Sequence, residues 1–557
     1  MSKGTGIMRC CATRRRWSSS GRRSSLYRSG VCSGFLSLSA GKLLSRWGFA
    51  FAAGILVSIT VVQPIQGQST GELVRVPGIL ENYVATLHAR GDSLWVSPDL
   101  NLTADGGITW HAVEHDSLRD LGYSVMSMDG EGEVFWAGLG YTSTATGVSL
   151  PAAGGFLFSV DGGQTFRYRF PQLDVPGDTL IEYGVSTLST FDAVIPENSP
   201  PYGVDYDAKT GALWVAGGWS GLRRSSDGGN TWERVVLPPD DLEAIHPDSS
   251  YTFRLDPEPA RGGSYNHRVL SVLVDEAGVI WAGTMRGLNR STDGGISWRR
   301  YSYDGTPGSI VGDRVVAIEE QPVPGRNPVW VAGLQPGEGG VQTPQGVAVT
   351  RDGGETFEQV LVGVNVGDIA FSEGIVYAAA FRDGLFISED DGVTWRSVKD
   401  FFDPAHPDRA VNPDLSVLSV ATTREAVWVG TSDGLFRSTD RGATWQAFRA
   451  NVPVHPEVPT ADVPDVDTYA YPNPFSPASD NLVRIRYDLD SSGNVEVRIF
   501  DFEMSLVRRL TGESQATGGQ EVAWDGTDDN GLRVAKGVYF YAVRADNRTV
   551  WGKILVL

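Results

Sequence analysis

Cysteine is almost missing from this chain. Its three copies, Cys10, Cys11 and Cys32, all lie near the start. The remainder therefore has no disulfides, no thiol chemistry and no cysteine-based metal site, and must be held by core burial. Long apolar runs are scarce as well. The longest, Trp47 to Val62, is short for a bilayer span. Helical periodicity is nearly absent, while glycine, threonine and aromatic residues at alternating positions favour strands. Catalytic signatures are missing too. The seven histidines form no HExxH, and their one close pair, His111 and His115, reads as surface positions on a strand and the turn after it. Neither a phosphate-cradling G-x-x-x-x-G-K-[ST] loop nor a G-x-S-x-G elbow occurs. No metal or cofactor is expected.

Positive charge is concentrated at one end. Residues 1–67 carry ten Lys/Arg and no Asp/Glu. This basic region, the short apolar core and the small or polar residues after it read as a cleaved secretory leader. Beyond it, 37 Lys/Arg face 67 Asp/Glu, a formal charge of −30. Such a surface excludes nucleic acid and anionic membrane as partners. The expected exported form is a monomer without a membrane span.

What is abundant is an octapeptide that recurs seven times: TADGGITW (103–110), SVDGGQTF (159–166), SSDGGNTW (225–232), STDGGISW (291–298), TRDGGETF (350–357), SEDDGVTW (388–395) and STDRGATW (438–445). An apolar segment centred on an aromatic precedes each copy, from SLWVS and VFWAG to IVYAA and AVWVG. Between segment and octapeptide, five copies carry a Gly-Leu type entry such as GLRRS. Each unit reads as four antiparallel strands, A to D, with the octapeptide at the C–D corner. Seven such units make an all-β, seven-bladed β-propeller over 72–455. Residues 72–79 (ELVRVPGI) either supply a closing strand or precede the ring without joining it.

The octapeptide resembles the Asp-box (BNR) repeat of sialidases, sortilin-type receptors, xyloglucanases and photosystem-assembly-factor-like propellers. All seven copies keep Asp, the second Gly, Thr/Ser and Trp/Phe. The resemblance implies structural corners away from the binding face, so Asp105, Asp161, Asp227, Asp293, Asp352, Asp390 and Asp440 are expected to hold turns. A sialidase would need an arginine triad with a Tyr–Glu nucleophile. Arg254, in YTFRLDP (251–257), is a faint match and sits inside an insertion. Xyloglucan-cleaving relatives place their acids between two propellers, and this chain has one.

Loop lengths predict which face is functional. The A–B turns, on the octapeptide side, are short: MDGEGE, DAKTG, DEAG and SEG. Long D–A connections (171–202, 238–266, 302–312, 399–413) and long B–C loops (139–155, 334–345) are expected to project from the opposite face. Short B–C loops there place Trp219, Met285, Arg286, Arg382, Asp383 and Asp433 near the central channel, a mixed charged and aromatic ring suited to a peptide or glycan.

The Pro- and Val-rich stretch around 456–470 reads as a linker. Residues 471–557 alternate as a small antiparallel sandwich. Within it, DGTDDNG (525–531) is a hairpin turn, since Asn530 stands where a calcium loop needs glycine. YPNPF, VEVRIFDFEMSLVRRL, WDGTDDNG, VAKGVYFYAV and the final GKILVL resemble the FlgD-type Ig-like domain and the C-terminal sorting domain of bacterial type IX secretion. That resemblance implies contact with the secretion machinery. The expected whole is a secreted or cell-surface, non-catalytic propeller binding an extracellular protein or glycan. An extracellular glycoside hydrolase is the alternative.

Overall fold

The structure is a computed structural model that describes residues 70–326, 328–335, 343–406, 411–450, 466–477, 480–545 and 548–557. The expected leader (1–67), linker residues 456–465 and most of the expected 334–345 loop lie outside the described residues. In the third unit, strands Gly203–Asp207, Ala212–Ala216, Leu222–Ser225 and Glu233–Arg234 pair consecutively and antiparallel. The same four-strand meander occurs seven times. The innermost A strands are Leu87–Arg90, Ser124–Asp129, Gly203–Asp207, Val269–Val274, Arg314–Glu320, Asp368–Ser372 and Val417–Thr422. Each packs beside the next, and the seventh beside the first. The chain is thus a seven-bladed β-propeller followed by an Ig-like β-sandwich.

The seams between blades explain the octapeptide. Each B strand centres on an aromatic that is buried, with Trp281, Trp330 and Trp428 at most 1% exposed. In the five seams from blade 1 to blade 6, the second glycine of the following blade's corner lies against that ring. A Cβ at Gly163, Gly295 or Gly392 would stand 2.4, 2.8 or 2.7 Å from Trp95, Trp214 or Trp330. The first glycine position has open space at Gly162, Gly228 and Gly294 and needs only positive φ. Asp391 and Arg441 occupy it with φ of 60° in two copies. Close approach makes the second glycine obligatory and leaves the first replaceable.

Among the described residues, ring closure uses no shared strand. Gly71–Val76 forms a fifth, outermost strand on blade 1, pairing with Trp110–Glu114 and touching Thr165 and Phe166 of blade 2. It straps blades 1 and 2 together on their outer side. The seventh-to-first seam is closed instead by packing and by the turn after the strap. Val84 N–H donates to the Thr431 carbonyl, Gly434 N–H to the Asn82 carbonyl and Ala450 N–H to Asn82 Oδ1.

The insertions depart from expectation. Residues 139–155 are largely strand, Phe135–Ser143 and Leu150–Ser159 forming an extended hairpin with a short tip. The 171–202 and 238–266 segments do not simply project from the face opposite the corners. Leu180–Tyr183, Ser186–Thr190 and Arg254–Leu255 make one three-stranded sheet from both insertions. Ala244–Ile245 adds a fifth strand to the rim of blade 4. Tyr183 OH reaches the Ile296 carbonyl, inside the fourth octapeptide. Elaboration therefore wraps the rim of blades 3 and 4 as well as the face. His115 also differs from expectation: it is buried, caps the helix Asp116–Arg119 through Nδ1 and stacks on Tyr168.

The C-terminal sandwich packs a sheet of Thr468–Tyr471, Val483–Leu489 and Gly518–Trp524 against one of four strands, Gly493–Phe500, Leu506–Gln515, Gly537–Ala545 and Arg548–Val556. Phe475, Trp524, Tyr541, Ile499 and Ile554 fill the space between. Its first strand starts at Thr468, within the stretch read as linker. In DGTDDNG the carboxylates serve their own turn: Asp525 Oδ1 accepts from Thr527 N–H, and Asp528 Oδ1 from Asn530 and Leu532 N–H.

Candidate binding face

Strand C separates two kinds of loop by one strand length, the octapeptide corner at one end and the B–C loop at the other. At the corner, chemistry is used up locally. Asp227 Oδ1 accepts from Ser225 Oγ, Asn230 N–H and Thr231 N–H at 2.9–3.0 Å, and Oδ2 accepts from Thr231 Oγ1 at 2.7 Å. The Thr231 backbone and hydroxyl bonds hold the carboxyl at about 2. In every copy the aspartate accepts the backbone N–H and the hydroxyl of the Thr/Ser four residues on, including Asp105, Asp161 and Asp293. Asp352, Asp390 and Asp440 repeat it. Asp227→Ala should cost about 1–2 kcal/mol by leaving the corner's N–H groups without their acceptor, read as a fall in the denaturant midpoint.

At the other end of strand C, Trp219 is half-buried and Phe191, from the 171–202 insertion, stands edge-on to it at 6.4 Å. The Arg268 guanidinium lies over the Trp219 ring at 5.1 Å and over Tyr265 at 5.0 Å. Arg261, exposed, sits over Phe191 at 5.7 Å and Trp219 at 6.0 Å. Met285 joins the group because its N–H donates to the Arg268 carbonyl. Neighbouring Arg286 is half-buried, its carbonyl accepting from Arg300 and its Nη1 having no hydrogen-bond partner among the described residues. A crevice lined by Phe191, Trp219, Leu222, Leu255 and His267 opens beneath. Stacked guanidinium and indole planes of this kind gain cation–π energy and present donors outward.

The remaining expected residues separate. Arg382 and Asp383 sit on the turn Phe381–Asp383 of blade 6, where Asp383 lies 3.9 Å from Lys399 Nζ. Asp433 corrects the expected ring. It is buried and accepts from Arg449 of its own blade at 3.3 Å, and from Arg484 of the C-terminal sandwich at 2.5 Å. Arg449 also meets Glu521 of the sandwich at 2.6 Å, and Glu521 accepts from Tyr471 OH at 3.0 Å. Burial pulls the Arg449 pKa down, but Glu521 and Asp433 more than offset it, holding it above the ordinary value. Arg254 pairs with Asp256 inside the insertion sheet at 3.1 Å.

Sequence reading missed the anchor of this face. Asp174, in the 171–202 insertion, receives both Nη atoms of Arg223 at 2.6 and 3.0 Å, Arg234 Nε at 3.0 Å and Ala193 N–H at 2.8 Å. All three charged side chains are almost fully buried. Burial alone would raise the Asp174 carboxyl; the Arg223 and Arg234 bonds hold it below its ordinary range.

A ring of channel residues was missed as well. Opposite the B-strand aromatic, the A strands carry in order His88, Asp129, Asp205, Leu273, Glu319, Ala370 and Ala421. The carboxylates reach across seams. Asp129 accepts from Tyr206 N–H at 2.7 Å, Asp205 from the Val274 backbone, and nearby Asp368 from Val420 N–H at 2.9 Å. Burial raises all four acids, Asp368 to about 7, and mutual repulsion adds to the rise for Asp205 and Glu319. Among the described residues no group of three or more His, Cys, Asp or Glu side chains is set to hold a metal ion.

These acids give a signed pH dependence. A carboxyl raised on folding stabilises fully below its unfolded value, and that stability is lost as pH climbs through the folded one. The corner aspartates are depressed, so their contribution is lost as pH falls from about 4 toward 2. Thermal stability should peak near pH 4 to 5. Asp205→Asn should raise the melting temperature at pH 8 and leave it unchanged at pH 4, whereas a wild-type profile rising steadily to pH 8 would contradict this.

Residues 476–549 match the FlgD Ig-like domain family. Human fibrocystin-L is 35% identical over 128 residues, 23% of this chain and only 3% of that protein's length. The Niastella koreensis GH74 enzyme matches at 14% identity and TM-score 0.42, over 88% of this chain and 75% of its own. PorZ, a surface component of the type-IX secretion system of Porphyromonas gingivalis, matches at 15% identity and TM-score 0.26, over 85% and 70%. No helix among the described residues is long and apolar enough to cross a membrane.

Proposed function

We propose that this chain is an exported Asp-box propeller that binds an extracellular protein or glycan, without catalysis, at the face opposite its octapeptide corners. The observation that carries the reading is the Trp219 platform. Two insertions from different blades converge on it, a buried ion pair anchors it, and its arginines lie stacked on aromatic rings. A rigid scaffold with elaborated loops at one place is the usual setting of a binding site. The C-terminal FlgD-like domain serves in sorting, through the type IX secretion machinery, and the protein acts outside the cell or on its surface. It needs no cofactor.

The glycoside-hydrolase alternative draws on one observation, the raised carboxyls of the channel, because a protonated acid beside a charged one is what glycosidic cleavage uses. Three of those acids are already engaged with backbone N–H groups across seams, which favours a structural role. The deciding experiment is a glycan and peptide array beside a fluorogenic glycosidase panel. Binding lost in Trp219→Ala supports the proposal; turnover lost in Glu319→Gln would overturn it.

A further inference from the structure

The loop face of blade 7 is covered by the chain's own C-terminal domain. Asp433 sits in the B–C loop and Arg449 follows strand D, so both belong to the end of the blade opposite its corner. Arg484 and Glu521 come from neighbouring strands of the sandwich, paired at Arg484↔Ala523 and Arg486↔Glu521. The four side chains alternate in sign, and none is more than 7% exposed. Around them Asn481 Nδ2 donates to Asn412 Oδ1 at 3.3 Å, and Tyr471 OH closes the second carboxylate. Surface ion pairs between tethered domains are ordinarily wet and weak. A desolvated quartet is different: each charge is tolerable only while all four are present, so losing one leaves the others buried and uncompensated.

We propose that this surface of blade 7 is a docking site whose occupant is the Ig-like domain, locked on by the Asp433–Arg449–Arg484–Glu521 quartet. The sandwich is then a cover on part of the face rather than a pendant on a tether, and ligands meet the remaining blades. Loss of one lock residue frees the domain as a folded unit and uncovers the surface. The proposal is independent of what the Trp219 platform binds.

The test is a distance measurement in the full chain. With Cys10, Cys11 and Cys32 replaced by serine, spin labels at Lys399→Cys and Lys536→Cys report between propeller and sandwich, both positions being exposed. A second pair at Lys209→Cys and Lys399→Cys reports within the propeller. The expected result is one narrow interdomain distance in the otherwise native chain. It should broaden about twofold or more in Arg484→Met, Glu521→Gln and Asp433→Asn, because each strands a buried charge. The propeller pair should stay narrow, which separates undocking from unfolding. A variant that fails to fold on one side is backed by the variants on the other. A broad distance in the native chain, or three variants as narrow as the native chain, would overturn the proposal.

Discussion

Replacing Asp174 with alanine is expected to cost about 3–5 kcal/mol and to release the 171–202 insertion from blade 3. The magnitude follows from what remains. Arg223 and Arg234 are both buried, and Asp174 is the carboxylate to which both bond inside. Arg223 Nε still has the Ser220 carbonyl at 2.7 Å, but its two Nη atoms lose both partners at once. The two guanidiniums left beside each other repel, and Arg223 has no counter-charge while Arg234 keeps only the exposed Asp178 at 3.4 Å. Asp174→Asn keeps an acceptor for Ala193 N–H and should do less damage, so the difference between the variants measures the charge. Because Arg223 bonds the carbonyl next to Trp219, the platform should lose its shape as well. Hydrogen exchange resolves the effect locally: amides of Leu180–Thr190 should lose protection by several orders of magnitude, while blades 5 to 7 keep theirs. Uniform loss throughout the chain would mean that Asp174 acts on the whole propeller rather than on the insertion.

The contrast between corners and insertions shows which parts of such a protein can be read from one sequence. The octapeptide is legible because its causes are local. An aspartate bonds residues three and four positions on, and a glycine turns the chain, so spacing alone carries the geometry. Even its variation is intelligible: Asp391 and Arg441 fill a position that needs only positive φ, whereas the next glycine is in close contact with the preceding blade, Gly392 on Trp330 and Gly442 on Ile387. The insertion sheet has no such local cause. Ser189 and Thr190 pair with Arg254 and Leu255 in parallel, a register set by where blades 3 and 4 bring the two segments. Asp433 misled for a related reason. Its loop was placed on the right end of the blade, but the group that buries it arrives from a separate domain. The channel acids were invisible until strand register aligned Asp129, Asp205 and Glu319, with His88, opposite the B-strand aromatics of four blades. Length of loop was legible; the path of the loop was not.

Trp428→Ala is the second large expected effect, and its form matters more than its size. Removing a fully buried tryptophan costs about 3–5 kcal/mol wherever it lies, so Trp281→Ala in the seam between blades 4 and 5 is the matched control. The two seams differ in connectivity. Blades 4 and 5 are joined by continuous chain, so a cavity there can weaken packing without parting the blades. Blades 7 and 1 meet where the ring closes and are held by side chains and a few backbone bonds. Trp428 is central to them: its ring lies 6.5 Å from Trp110 and 5.4 Å from Phe448, and its Nε1 donates to Thr423 Oγ1 at 3.1 Å. Gly107 packs on the same cluster, where a Cβ would come within 2.5 Å of Phe448. Trp428→Ala should therefore open the ring locally. The amides of Val84 and Gly434, whose acceptors lie across the seam, should exchange far faster than in Trp281→Ala at equal global stability. Equal exchange at those two amides in both variants would show that the seventh-to-first seam is as secure as the others, and that closure rests on the turn at Asn82 rather than on the aromatic core.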